Sequence, residues 1–199
     1  MTDALSRVDI PWSAVTVFHL DGYVGIKSDH PASFHRWIHE RIEQPFRPEV
    51  VHYLDGLAED LDEEIARYEG LLRQSPIDVV CMGIGENGHL AFNEPNDADF
   101  DTDALVSVIA LQPESRQQQV NEGHFPTVDE VPSHALSLSV PALFMSSHQI
   151  VSVPERRKAG AVAASLTGPI TEACPASILQ ERRSAVVLLE PESASELPG

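Results

Sequence analysis

Residues 77–95 read IDVVCMGIGENGHLAFNEP, an apolar run that opens at once into a polar, glycine-rich stretch closed by a proline. IDVVCMG (77–83) is continuously apolar and bounded by turn formers, the pattern of a parallel strand buried on both faces. Such a strand, ending in flexible backbone, delivers the residues that follow it to the carboxyl edge of a sheet, where α/β folds bind ligands. Glu86, Asn87, His89, Asn93 and Glu94 arrive there together.

Outward from this stretch, strands and helices alternate. AVTVFHL (14–20) is β-branched and alternating, and it runs into Asp21-Gly22 as a turn. HPASFHRWIHERI (30–42) has Phe34, Trp37, Ile38 and Ile42 near helical spacing. VVHYL (50–54) is a short strand, and DLDEEIARYEGLLRQ (60–74) is a helix with acids in its first turn and Leu61, Ile65, Tyr68, Leu71 and Leu72 on one face. ALVSVIAL (104–111), HALSLSV (134–140), HQIVSVP (148–154) and SAVVLLE (184–190) read as strands, and PESRQQQVNEGHF (113–125) as a polar helix ending near Gly123. A helix is expected to begin at Pro154-Glu155 and stop at Gly168. This order predicts an α/β, Rossmann-like, three-layer, doubly wound and mostly parallel sheet. A single domain is expected over 1–190, with a flexible tail at 191–199.

Composition narrows the partners. The 199 residues, 42% hydrophobic, suffice for one domain with a real core. The formal charge of −18, from 31 acids against 13 bases, argues against nucleic acid or an anionic membrane as partner. MTDALSRVDI has neither the basic start nor the apolar stretch of a signal peptide, so a cytoplasmic location is expected. Cys81 and Cys174 are widely separated and read as small buried thiols rather than a disulfide or metal pair. His35 and His39 stand four apart on a helix, but without a metalloprotease motif or an evident third ligand; they read as surface residues, and no metal site is expected.

Two constellations point to chemistry. Arg156, Arg157 and Lys158 concentrate three of the few bases near a helix start, and Lys158 is one of only two lysines. That is a phosphate-site signature, with a solvated basic turn as the bland alternative. Asp21 at one strand end, facing His89 and Glu94 at another, suits general acid–base work. Taken singly, an Asp after a strand is also a turn former and a His also a structural residue. GIGENGHLAF is neither a dinucleotide fingerprint nor a P-loop, because its third glycine comes early and no Gly-Lys-Ser/Thr ending follows.

MGIGENGHLAFNEP (82–95), FHLDGYVG (18–25), VPSHALSLSVPAL (131–143), RRKA (156–159) and CPASILQ (174–180) together resemble the glucosamine-6-phosphate deaminase/isomerase family, from about Val15 to Leu189. The resemblance implies conversion of glucosamine 6-phosphate and water to fructose 6-phosphate and ammonia, without an organic cofactor. It implies Asp21 as the base that moves a proton from C2 to C1, His89 as the group that helps open the pyranose ring, and Glu94 as the carboxylate that tunes it. Lys158 matches a phosphate-contacting lysine, Gly85 and Gly88 bring backbone close to the sugar, and Arg116 is expected as a second phosphate or hydroxyl contact. The partner implied is a small phosphorylated amino sugar; a homo-oligomer is left open.

Several positions depart from the family pattern. Asn87 stands where the family commonly has Asp, so His89 is expected to hold its proton less tightly. Gly22 stands where a second acid is usual, and the family's phosphate-binding arginine aligns near Asn121. NDADFDTDAL (96–105) has no counterpart of the family's allosteric basic residues, so activation by N-acetylglucosamine 6-phosphate is not expected. No two of the eleven glycines are adjacent, and Met1 lies fourteen residues before Val15. The N-terminal strand–loop–helix unit with its Gly-Gly phosphate loop is therefore expected to be lacking. The other readings are a 6-phosphogluconolactonase-like hydrolase, which shares a G-x-G-x-x-G-H loop, and a catalytically impaired sugar-phosphate-binding protein.

Overall fold

The computed structural model describes residues 2–74 and 76–198. It opens with a one-turn helix α1 (Thr2–Leu5) and a 3-10 turn at Trp12–Ala14, then strands β1 (Thr16–Phe18) and β2 (Asp21–Tyr23). Helix α2 (Phe34–Ile38) passes through a π turn, His39–Glu43, into α3 (Gln44–Phe46). β3 (Val50–His52), α4 (Leu61–Leu72), β4 (Val79–Met82), β5 (Val106–Ala110) and α5 (Pro113–Asn121) follow. After them come β6 (His134–Leu138), α6 (Val140–Leu143), β7 (His148–Val153), α7 (Ala159–Thr167) and β8 (Ala185–Leu189).

The strands form parallel ladders β1-β3 and β4-β7-β8, and an antiparallel ladder β2-β6-β5. The mixed α/β architecture carries mostly parallel sheets, as the alternation of elements predicts. The antiparallel ladder is a local departure: Asp21-Gly22 is not a turn closing the first strand but part of a separate strand paired to β6.

Helix α4 shows why the alternation is legible. Asp60 caps it, its side chain accepting from the N–H groups of Asp62 and Glu63, and acids in the first turn complement the positive end of the dipole. Its inner face then ties elements together. The Tyr68 hydroxyl reaches the carbonyls of His19 and His52, and Glu69 accepts from the N–H groups of Leu105 and Val106. The main core packs Leu54, Tyr68, Leu72, Val80, Met82, Val151, Val153, Val162 and Ile178. A second core gathers Tyr23, Phe92, Phe125, Val131 and Ala135 around β2 and β6.

The reading of 77–83 as buried on both faces is corrected. β4 alternates exposed and buried; Val80 and Met82 point into the core while Val79 is 50% exposed and Cys81 is open to solvent. By register, Cys81 opposes Ile150, which opposes Val186, and Leu188 on the same face of β8 is 53% exposed. One face of the parallel ladder is thus bare, and a continuous apolar run does not by itself tell one covered face from two. Cys81 is accordingly not a buried thiol. Trp37, expected on an apolar helix face, is also largely exposed. In the segment expected to be a loose tail, the Ser193 hydroxyl is buried and donates to the Val153 carbonyl.

Candidate active site

The loop after β4 folds back on itself. The Gly85 N–H donates to the His89 carbonyl, and Gly88 turns the chain at φ +89° against Cys174. The His89 imidazole lies over Gly85 so closely that a Cβ there would collide with the ring. Gly85 is therefore needed for contact rather than for an unusual dihedral. Past the histidine, Asn93 clamps the loop: its amide donates to the carbonyls of Leu90 and Leu138, both at 2.8 Å.

Strand β6 brings Asp21 to this loop. Asp21 stands directly opposite Ser137 in the antiparallel ladder, which puts both side chains on one face with Cβ atoms roughly 5 Å apart. On that face the Ser137 hydroxyl accepts from the Phe92 N–H at 3.1 Å. The carboxylate and the loop thus share one wall. Burial pushes the Asp21 carboxyl up to about 7, which poises it as a base near neutral pH. Gly22 has no room for a second acid, because a Cβ there would approach the His19 ring at 2.9 Å.

Glu94 is fully buried, and its Oε2 accepts from Asn87 Nδ2 at 3.0 Å and from the Ser115 hydroxyl at 2.8 Å. Burial raises its pKa, while those two donors hold it down. His89 Nδ1 is 3.9 Å from the same oxygen, beyond hydrogen-bond range, and has no other partner. Burial, with Lys158 nearby, lowers the His89 pKa to about 4, so the imidazole is neutral at pH 7.

A cavity of about 380 Å³ opens beside the loop, lined among others by Gly83, Ile84, Glu122, Ser152, Arg157 and Lys158. The basic run enters as a 3-10 turn, Arg156–Lys158, and α7 begins only at Ala159, later than the expected start at Pro154-Glu155, because Glu155 adopts φ +76°. Arg157 pairs with Glu86, Glu122 and Glu155, and Lys158 Nζ lies 3.8 Å from Glu122 Oε1.

Of the expected residues only Lys158 lines this cavity; Gly85, Asn87, Gly88, His89 and Glu94 belong to the loop beside it, and Asp21 reaches that loop through Ser137 of β6. Arg116 does not serve it as expected: its guanidinium donates to the carbonyls of Val128 and Val131 at 2.6 and 2.9 Å, clamping α5 to the turn that precedes β6. Sequence reasoning passed over three neighbours. Tyr23 follows Asp21 by two residues on the same strand face, and its buried hydroxyl has no partner. Ser115 lies on the inner side of α5 and Glu122 caps its end, with Gln118 between them donating to Glu122 and accepting from the Glu86 N–H. A helix that is polar all round yet lies between strands was the available signal that its inner face is a polar wall. Among the described residues, no group of three His, Cys, Asp or Glu side chains could hold a metal ion.

A buried carboxylate on β2 and, after β4 of another sheet, a neutral imidazole with a lysine nearby form a candidate acid–base constellation on an α/β scaffold. Residues 1–188 match the model of the glucosamine-6-phosphate isomerases/6-phosphogluconolactonase family, and the chain belongs to that family. It is similar to the glucosamine-6-phosphate deaminase of Streptococcus uberis, 36% identical over 194 residues, covering 96% of this chain and 80% of the relative. The deaminase of Listeria innocua is 34% identical, over 97% of this chain and 80% of that protein. Among solved structures, a monomeric glucosamine-6-phosphate deaminase superposes with a TM-score of 0.88 at 32% identity, covering 98% of this chain and 81% of its own. The 6-phosphogluconolactonase of Thermotoga maritima shares the fold, with a TM-score of 0.70 at 20% identity over 94% of this chain and 78% of that one.

Proposed function

We propose that this chain is a glucosamine-6-phosphate deaminase, converting glucosamine 6-phosphate and water to fructose 6-phosphate and ammonia in amino-sugar breakdown. The observation that carries this reading is the placing of Asp21 and the His89 loop against one strand, β6, with Lys158 beside His89. His89, neutral and without a partner at Nδ1, is free to exchange a proton with the ring oxygen as the pyranose opens. Asp21 then takes the C2 proton and returns one at C1, work for a single carboxylate held near both carbons. Glu94 is a positioning residue, held in place by Asn87 and Ser115. Lys158 contacts the phosphoryl group. Among the described residues no helix is long and apolar enough to cross a membrane, and a cytoplasmic location is part of the proposal.

The test is a coupled assay for ammonia and fructose 6-phosphate with purified protein. Both products are expected in equal amounts; absence of both under conditions where the fold is intact overturns the reading.

A further inference from the structure

The cavity beside the His89 loop sets two acids, Glu122 and Glu155, against two cations, and a third acid, Glu86, reaches one of them from outside its lining. Its two cations, Arg157 and Lys158, are met by Glu86, Glu122 and Glu155. The three carboxylates are not equivalent. The Glu155 side chain is 52% exposed and has solvent to turn into, while Glu86, 31% exposed, pairs with Arg157 and not with Lys158. Glu122 is only 16% exposed, and it is held. Its Oε1 accepts from Gln118 Nε2 at 2.8 Å and lies 3.4 Å from Arg157 and 3.8 Å from Lys158, while Oε2 is 3.6 Å from His124 Nδ1. Lys158 itself is largely out of water, so the carboxylate facing it replaces lost hydration.

We propose that Glu122 is a built-in counter-anion: its carboxylate stands on the cation pair that a phosphoryl group must reach, and it makes the site reject free phosphate. A dianion approaching Lys158 meets a fixed negative charge that has no room to leave. It binds only when the rest of the ligand adds contacts elsewhere in the site. Glu122 thus sets a threshold: it weakens phosphoryl binding in general, so that inorganic phosphate, which has no other contact, is not retained while a phosphorylated sugar is held by its remaining contacts. The inference rests on the reading of the substrate as a sugar phosphate.

The experiment is calorimetric titration of the full chain with inorganic phosphate, which requires no turnover. Glu122→Gln removes the charge and keeps the shape, and phosphate is expected to bind about tenfold more tightly than to wild type. Glu122→Asp withdraws the charge by one methylene and is expected to tighten binding by a smaller factor; it serves if the first variant unfolds. Lys158→Met is expected to abolish the gain in the Glu122→Gln background. Unchanged or weaker phosphate binding in folded Glu122 variants overturns the inference, and so does a gain that survives Lys158→Met. Ammonia release by wild type is read separately. A chain without turnover whose phosphate affinity rises in Glu122→Gln fails the deaminase reading alone; an active deaminase whose phosphate affinity does not move fails this inference alone.

Discussion

The amide of Asn87 donates to the buried carboxylate of Glu94 at 3.0 Å, on the same oxygen that Ser115 serves and that faces the His89 ring. An amide there supplies a donor where an acid would supply a second charge. Asn87→Asp removes the donor and sets two carboxylates against each other. The expected cost is about 1–3 kcal/mol of stability, seen as a lower melting temperature at neutral pH. The added negative charge should also raise the His89 pKa above its value of about 4, followed by NMR titration of the ring. An unchanged melting temperature would count against the Asn87–Glu94 bond as a support of the loop.

Asp21 ties rate and stability to the same proton. As a base it works ionised, so kcat/KM is expected to rise with pH through about 7. Its folded pKa lies above the ordinary 3.8, so its contribution to stability is fully present below that value and is lost as pH rises to about 7. Asp21→Asn should therefore melt higher than wild type at pH 8 while turnover falls by about 10²- to 10⁴-fold. Retained turnover would reassign the base.

Gly85→Ala tests contact rather than dihedral freedom. The added methyl has to push the His89 ring aside, and a displacement near 1 Å is expected to lower kcat by roughly 10²-fold. The melting temperature should stay close to wild type, which separates a displaced imidazole from general unfolding.

For Arg116 a structural role and a phosphate role diverge in their readouts. Arg116→Met removes the bonds to Val128 and Val131, so the melting temperature should fall, with a loss of about 1.5–3 kcal/mol, while KM stays within twofold of wild type. A raised KM with unaltered melting would restore the phosphate role.

The loop from Gly83 to Pro95 was legible because its chemistry is local: the glycines, His89 and Glu94 lie within one turn and its exit. Asp21 was legible as a residue but not as a strand, since its pairing partner Ser137 is more than a hundred positions away and nothing near Asp21 announces it. The bonds of Arg116 are hidden from the sequence for a similar reason. A guanidinium in a polar helix looks free until the carbonyls of Val128 and Val131 fold over it. Glu122 escaped notice because its meaning depends on Arg157 and Lys158, which arrive from beyond β7.

The bare side of β4, β7 and β8 gives the protein a chemical handle. Of its two thiols, Cys81 faces outward among Val79, Ile150 and Val186, while Cys174 is tucked against Gly88 and Ser165. A bulky maleimide therefore modifies one position and leaves the other, and the mass of the product records whether that wall of the sheet is open or covered in solution.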